Sequence, residues 1–156
     1  MEIKAYTVTK EIFEEDCRIL ATRINEAPIP KNFNPTHLIA LNSDGVKTAI
    51  ELRKNLSKKN LLIEKIKLNP QTYVIEKMLE NKKITNAFLI TTIQNTGKLL
   101  TKALEYLNAI FENSEEDLEL MIIVLYDRLN VSSETYQTPT FFGMGFINHN
   151  RIEMEI

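Results

Sequence analysis

Ala87-Phe88-Leu89-Ile90-Thr91-Thr92-Ile93-Gln94-Asn95-Thr96-Gly97-Lys98 is the stretch whose reading decides the fold. It opens as an apolar run rich in aromatic and β-branched residues, the composition of a buried strand. It closes on a glycine, after which Leu100, Ala103, Leu104, Leu107 and Phe111 recur at helical spacing. The reading is a strand over Ala87 to Thr92, a loop to Gly97, and a helix to about Phe111. A polar, acidic loop from Glu112 to Asp117 leads to Leu118 to Tyr126, which is almost unbroken in apolar residues. Such continuity means burial on both faces, as in a parallel sheet.

Working outward, the same unit recurs upstream. Leu38 to Leu41 is an apolar run, Asn42-Ser43-Asp44-Gly45 reads as a tight turn, and a helix follows from about Val46 to Leu56. Val46, Ala49, Ile50 and Leu56 are its expected inward residues. Before it, Thr9 to Asn25 is an amphipathic helix with Phe13, Cys17, Leu20 and Ile24 on one face and Thr9 as N-cap. Three prolines make Glu26 to Pro35 a loop. Leu61 to Leu68 is strand-like, with Leu62, Ile66 and Leu68 on one side and Glu64 as the exception. Asn69-Pro70 breaks it, and Gln71 to Asn81 is a short helix or an excursion. A last strand, about Phe141 to Asn148, carries Gly143 and Gly145. Alternating strands and helices predict an α/β fold over residues 1–156, a mainly parallel sheet flanked by helices in a single domain. In such a sheet ligands bind past the carboxyl ends of the strands, where Asn42 to Gly45 and Thr91 to Lys98 fall.

Composition narrows the function. Nineteen basic against 21 acidic residues argue against a general nucleic-acid binder. A single cysteine, Cys17, excludes a disulfide framework within the chain and a cysteine-based zinc site. No apolar run reaches the roughly 18 residues needed to span a membrane. The opening MEIKAYTVTKEIFEED has no apolar signal core, so the expected location is cytoplasmic. His37 and His149 lack ligand spacing and read as surface or satisfied histidines. Cys17 reads as a core thiol. RKNLSKK, from Arg53 to Lys59, reads as a solvated helix end, and Glu14, Glu15 and Asp16 as a solvated face.

The two crevice loops carry the chemistry. At Thr91 to Lys98 a strand ends and a helix begins, so unpaired backbone N–H groups and the positive end of the helix dipole favour a phosphate. Gly97 permits close approach, Thr96 adds a hydroxyl and Lys98 a charge; the alternative is an ordinary strand-to-helix turn. The loop is not a triphosphatase P-loop, because Thr92 stands at the required first glycine and Leu99 follows the lysine. Ser43-Asp44-Gly45 has amides to offer an anion, but Asp44 repels phosphate, and a turn with an Asx-type side chain is the better reading.

In this order the pieces resemble the type I phosphoribosyltransferases, especially the small bacterial xanthine/hypoxanthine–guanine salvage enzymes. Tyr6-Thr7-Val8-Thr9 with Phe13, Cys17-Arg18 and Leu20-Ala21 is similar to their first helix. Leu38 to Gly45 resembles their pyrophosphate loop, with Ala49 and Leu52 in its helix. Phe88 to Lys98 resembles their phosphoribosyl-pyrophosphate signature, and Thr140 to Gly145 the late segment on which the base stacks. The resemblance implies a 5′-phosphate site at Asn95, Thr96, Gly97, Lys98 and Leu99, the last standing where the family has threonine. It implies ribose contacts at Thr91 and Thr92, a pyrophosphate loop at Ser43, Asp44 and Gly45, and base stacking by Phe141 or Phe142.

The departures fall on the chemistry. Thr91 and Thr92 replace the family's paired acids near magnesium. Asn95, at the catalytic position, replaces the acid that serves as general base, a change of about 10²–10⁴ in rate. Ser43 and Asp44 replace a basic residue and glycine, and the purine-reading lysine finds only Tyr126 or Asp127. The implied protein binds a phosphorylated ribose compound or nucleotide without standard transfer and needs no certain cofactor. An active purine phosphoribosyltransferase using magnesium is the rival, unless an acid comes from near Glu76 and Glu80. The third possibility is an interaction module whose pocket is closed, plugged by Pro70 to Lys83. A homodimer is expected by analogy; nucleic-acid and membrane partners are not.

Overall fold

Strands that are apolar on both sides need a cover on each face, and amphipathic helices supply it. The computed structural model has this arrangement and describes residues 5–81, 83–94, 96–112, 117–128, 140–145 and 151–156. In chain order the elements are β1 (Ala5–Thr9), α1 (Lys10–Glu26), β2 (His37–Leu41), α2 (Asn42–Asn55), β3 (Leu62–Leu68), β4 (Ile75–Lys77), β5 (Asn86–Gln94), α3 (Lys98–Phe111), β6 (Glu119–Asp127), β7 (Thr140–Gly145) and β8 (Arg151–Glu155). Six strands form one sheet in the order β4-β3-β2-β5-β6-β7. Its pairs are parallel except β3 with β4. β1 and β8 pair in parallel as a separate ribbon.

Side-chain alternation splits the core into two layers. Leu38, Ala40, Phe88, Ile90, Ile123 and Leu125 pack with Phe13, Leu20, Ala49 and Leu52 of α1 and α2. Ile39, Leu41, Leu89, Ile122 and Val124 face Leu100, Ala103, Leu107 and Phe111 of α3. The inward residues expected of α1 are buried, and Thr9 Oγ1 accepts from Ile12 N at 3.3 Å as its N-cap. No helix among the described residues is long and apolar enough to cross a membrane.

Three expectations change, and one open alternative is decided. Asn42 to Gly45 is not a turn before a helix but the first turn of α2 itself. Asn42 makes this possible by adopting a left-handed φ of 64°, with its Oδ1 accepting from Leu68 N at 2.9 Å. Gly45 then lies against β5, where an added β-carbon would sit 3.1 Å from Ile90 O. That contact fixes the helix phase, so Thr48, Ala49 and Leu52 point inward while Ile50 is 40% exposed. In β3, Ile66 and Leu68 are buried but Leu62 is 59% exposed. Glu64 is the exception for a reason: its Oε1 accepts from Glu80 N and Asn81 N. Gln71 to Asn81 is an excursion rather than a helix, carrying the short antiparallel β4. The last strand is described only to Gly145, and positions 146–148 lie outside the described residues. β1 and β8 were not anticipated.

Candidate ligand cleft

β2, β3, β5 and β6 run in one direction and end together, so the residues just past them share a crevice. A cleft of about 410 Å³ lies there, bounded by Leu41 of β2, Asn42 and Asp44 of α2, Pro70 after β3, Thr91, Thr92 and Ile93 of β5, Leu99 of α3, Arg128 after β6, and Ile152 of β8. A smaller cavity of about 110 Å³ continues it toward α3, lined by Tyr73, Gln94, Thr96, Gly97 and Leu100. Pro70, Thr91, Ile93 and Leu99 line both. The segment from Pro70 therefore walls the crevice and leaves it open.

The start of α3 is built to leave amides available. Gly97 is its N-cap in the left-handed region at φ 79°, which glycine adopts without a Cβ penalty. Thr96 Oγ1 accepts from Lys98 N at 3.3 Å, and the first helical bond runs from Thr101 N to Gly97 O at 3.0 Å. The amides of Leu99 and Leu100 precede that bond and have no acceptor within the helix. No acid occupies the first turn, and Lys98 is exposed. Thr96, Gly97, Lys98 and Leu99 are thus brought together; Asn95 lies outside the described residues.

Both threonines are buried and line the larger part of the crevice. Thr91 lines both parts of the crevice. Thr92 is 2% exposed, and its hydroxyl lies 2.7 Å from that of Thr48. Thr48 also donates to Asp44 O at 3.1 Å, so Thr92 supplies the proton between them. The Thr92 hydroxyl thus ties β5 to α2 while the residue forms part of the cleft wall.

Beyond β6 the structure reorders the expectation. Tyr126 is fully buried, and its hydroxyl donates to Asp16 Oδ2 at 2.7 Å. Asp127 is buried and accepts from Gln94 Nε2 at 3.0 Å. Neither lines the cleft; the next residue, Arg128, does, with its N–H bonded to Gln94 O at 3.0 Å. Arg128, Tyr73 and Ile152 are cleft residues that motif reading missed, since no local signal joins segments so distant in sequence. Tyr73 alone carried a mark, lying in the turn after Asn69-Pro70 with φ 61°.

The other sequence candidates sort cleanly. Ser43 and Asp44 are exposed and Gly45 is buried, so the three do not form an open amide cradle. Ser43 Oγ accepts from Lys65 Nζ at 2.8 Å, and Asp44 faces the cleft. Phe141 and Phe142 pair with Ile123 and Val124, away from the carboxyl end of β6, and pack into opposite core layers. The structure does not bring either to the cleft. Glu76 pairs with Lys67 and Glu80 with Lys77, each at 3.6 Å, and neither lines the crevice. His37 is buried and satisfied, with Nδ1 2.7 Å from Thr36 Oγ1. Cys17 is buried, and burial, then Glu51 and Asp16, push its thiol pKa well up. Arg53 donates to Leu61 O and Lys59 to Leu56 O, as a solvated helix end does.

Among the described residues no cluster of three His, Cys, Asp or Glu side chains exists, and Asp44 is the one carboxylate lining the larger cleft.

Comparison with solved structures decides the fold. A purine phosphoribosyltransferase from Pyrococcus horikoshii superposes with TM-score 0.69 at 16% identity, covering 96% of this chain and 92% of that one. The fold is that of the type I phosphoribosyltransferases. A hypoxanthine-guanine phosphoribosyltransferase from Bacillus anthracis, with a HEPES molecule in its active site, gives 0.67 at 17% identity over 93% and 85%. A Neisseria gonorrhoeae protein with bound ppGpp gives 0.66 at 14% identity over 99% and 89%. No protein-family model and no curated relative matches the chain. At such identity the phosphoribosyltransferase likeness is one of backbone, and the cleft side chains are this chain's own.

Proposed function

We propose that the protein binds a phosphorylated ribose compound or nucleotide, with its phosphate at the start of α3, and does not catalyse ordinary phosphoribosyl transfer. One observation carries the reading: the cleft is open at Thr96 to Leu100, while the β5 positions beside it are threonines, one of them committed to Thr48. A cleft of about 410 Å³ is of the size that takes small ligands. Threonine hydroxyls can hydrogen-bond a sugar but cannot supply the charge that steadies a reacting centre. The neighbour with bound ppGpp supports a nucleotide-sized occupant.

Titration calorimetry with ribose 5-phosphate and nucleoside 5′-monophosphates tests binding. Saturable heat is expected, abolished by Gly97→Val; silence with every ligand would remove the reading. The active-enzyme rival is favoured by the fold likeness and predicts magnesium-dependent pyrophosphate release with xanthine, hypoxanthine or guanine. Turnover no higher than in an Asn95→Ala control counts against it. Homodimerisation belongs to the same proposal, and light scattering that gives the 18.0 kDa monomer would end it.

A further inference from the structure

We propose that a second cavity, at the amino-terminal end of the parallel sheet and away from the cleft, binds a free small carboxylic acid with an apolar body.

The cavity, of about 320 Å³, lies where the ends of α1 and α2 meet the proline loop that leads into β2. Its floor is apolar. Ile24, Leu56 and Phe88 are buried, and Ile29 and Phe33 are half-buried against the same core layer. Phe33 stands edge-on to Phe88, with ring centroids 5.4 Å apart. Hydrogen bonds fix the walls, so the space is preformed. Asn25 Nδ2 donates to Asn55 O at 2.9 Å and its Oδ1 accepts from Ser57 N at 2.8 Å, tying the end of α1 to that of α2. Phe33 N donates to Pro30 O at 3.0 Å, and Asn34 N to Asn86 Oδ1 at 3.2 Å, which sets the loop. A preformed, mostly apolar cavity of this size suits a molecule of about one or two rings.

Charge selects the class. The basic run from Arg53 to Lys59 divides: Arg53 donates to Leu61 O, Lys54 to Glu51 Oε1 and Lys59 to Leu56 O. Lys58 makes no hydrogen bond or ion pair with a described residue, and neither does Lys31 of the loop. These two exposed lysines are the cations that line the cavity, and no Asp or Glu among the described residues lines it. The helix ends do not call for them, because the last carbonyls have other donors. Ile24 O takes Ala27 N–H, Leu52 O takes Leu56 N–H, and Asn55 O takes the Asn25 amide. An apolar floor with two uncommitted ammonium groups at its rim matches an apolar body that ends in a carboxylate.

The test is an NMR titration of the isotope-labelled protein with phenylpropanoate, phenylpropanamide and phenylpropylamine. Backbone amide shifts are expected at Ile24 to Asn34, Leu56 to Lys58 and Phe88, with Thr96 to Leu100 unmoved. The acid should bind about fivefold more tightly than the amide, and the amine most weakly. Lys31→Gln with Lys58→Gln should bring acid and amide within about twofold, whereas Lys102→Gln, on α3 across the sheet, keeps the preference. Should the double variant lose its cooperative melt, the wild type in about 1 M salt gives the same readout, since screening removes the preference. Absence of shifts at these residues up to probe solubility, an amide or amine bound as tightly as the acid, or a preference that survives the lysine changes overturns the proposal. Ribose 5-phosphate added to the same sample reports on Thr96 to Leu100, so this proposal and the binding reading above fail separately.

Discussion

Thr91 and Thr92 are the same residue type one step apart, yet strand alternation and the fit of α2 give them different work. Thr92→Val keeps the shape but deprives Thr48 of its donor, so a loss of about 1 kcal/mol in urea melts is expected. Thr91, which lines both parts of the crevice, should on change to Val weaken ribose 5-phosphate in calorimetry with little change in stability. Gly143 answers to a different constraint. An added β-carbon would overlap Leu125 O of β6, and because that atom is backbone it cannot swing aside. Gly143→Ala should therefore cost about 1–3 kcal/mol by denaturant unfolding, through displacement of β7. Asp16 gives a pH dependence with a definite sign. Burial raises its carboxyl pKa, the Tyr126 hydrogen bond lowers it, and Glu15 raises it, with burial largest. A raised folded pKa means the stability contribution is full below the unfolded carboxylate range and is lost as pH rises through the folded value. Asp16→Asn keeps an acceptor for Tyr126 and has no charge to bury. It should gain on the wild type between pH 3 and pH 7 in urea titrations, and a gain in the opposite direction would contradict the assignment.

At the scale of elements, the strand–helix units were legible where periodicity was strong. Phe13, Cys17, Leu20 and Ile24 announced α1, and the residues from Leu100 to Phe111 announced α3. The beginning of α2 was not, because Asn42, Ser43, Asp44 and Gly45 are all turn formers. Tertiary contact overrode that preference: Gly45 is small so that α2 can press against β5, not so that a loop can bend. The five-residue β1 and β8 were hidden for another reason, since each pairs with a strand at the far end of the chain. The candidate site was legible as two loops at the carboxyl ends of strands, but not in its walls, which come from residues 70, 73, 128 and 152. The left-handed Gly97 makes a prediction at this scale. Gly97→Ala must hold a non-glycine residue at φ 79°, at a cost of about 1–2 kcal/mol. The variant should melt lower and bind ribose 5-phosphate more weakly together, because the same backbone turn starts α3 and presents its amides.

For the whole molecule, ligand and stability are one equilibrium. A ligand at about 100 times its dissociation constant stabilises a folded protein by roughly 2.7 kcal/mol. For a domain of this size that amounts to a rise of about 5–10 °C in Tm, measurable by differential scanning calorimetry. The β1–β8 ribbon sets how that stabilisation is distributed. Its register joins Ala5 to Arg151 and Thr9 to Glu155, so nearly the entire chain is the loop it closes, outside the six-stranded sheet. Closure over such a span costs more entropy than any neighbouring-strand pair, which makes the ribbon a late step in folding and an early one in local opening. Yet Ile152 of β8 is part of the cleft wall. Amide hydrogen exchange should therefore be faster in β1 and β8 than in β5 and β6 of the free protein, and slow selectively when the cleft is filled. The protein's two ends would then report occupancy as a change in protection, without any shift of the central sheet.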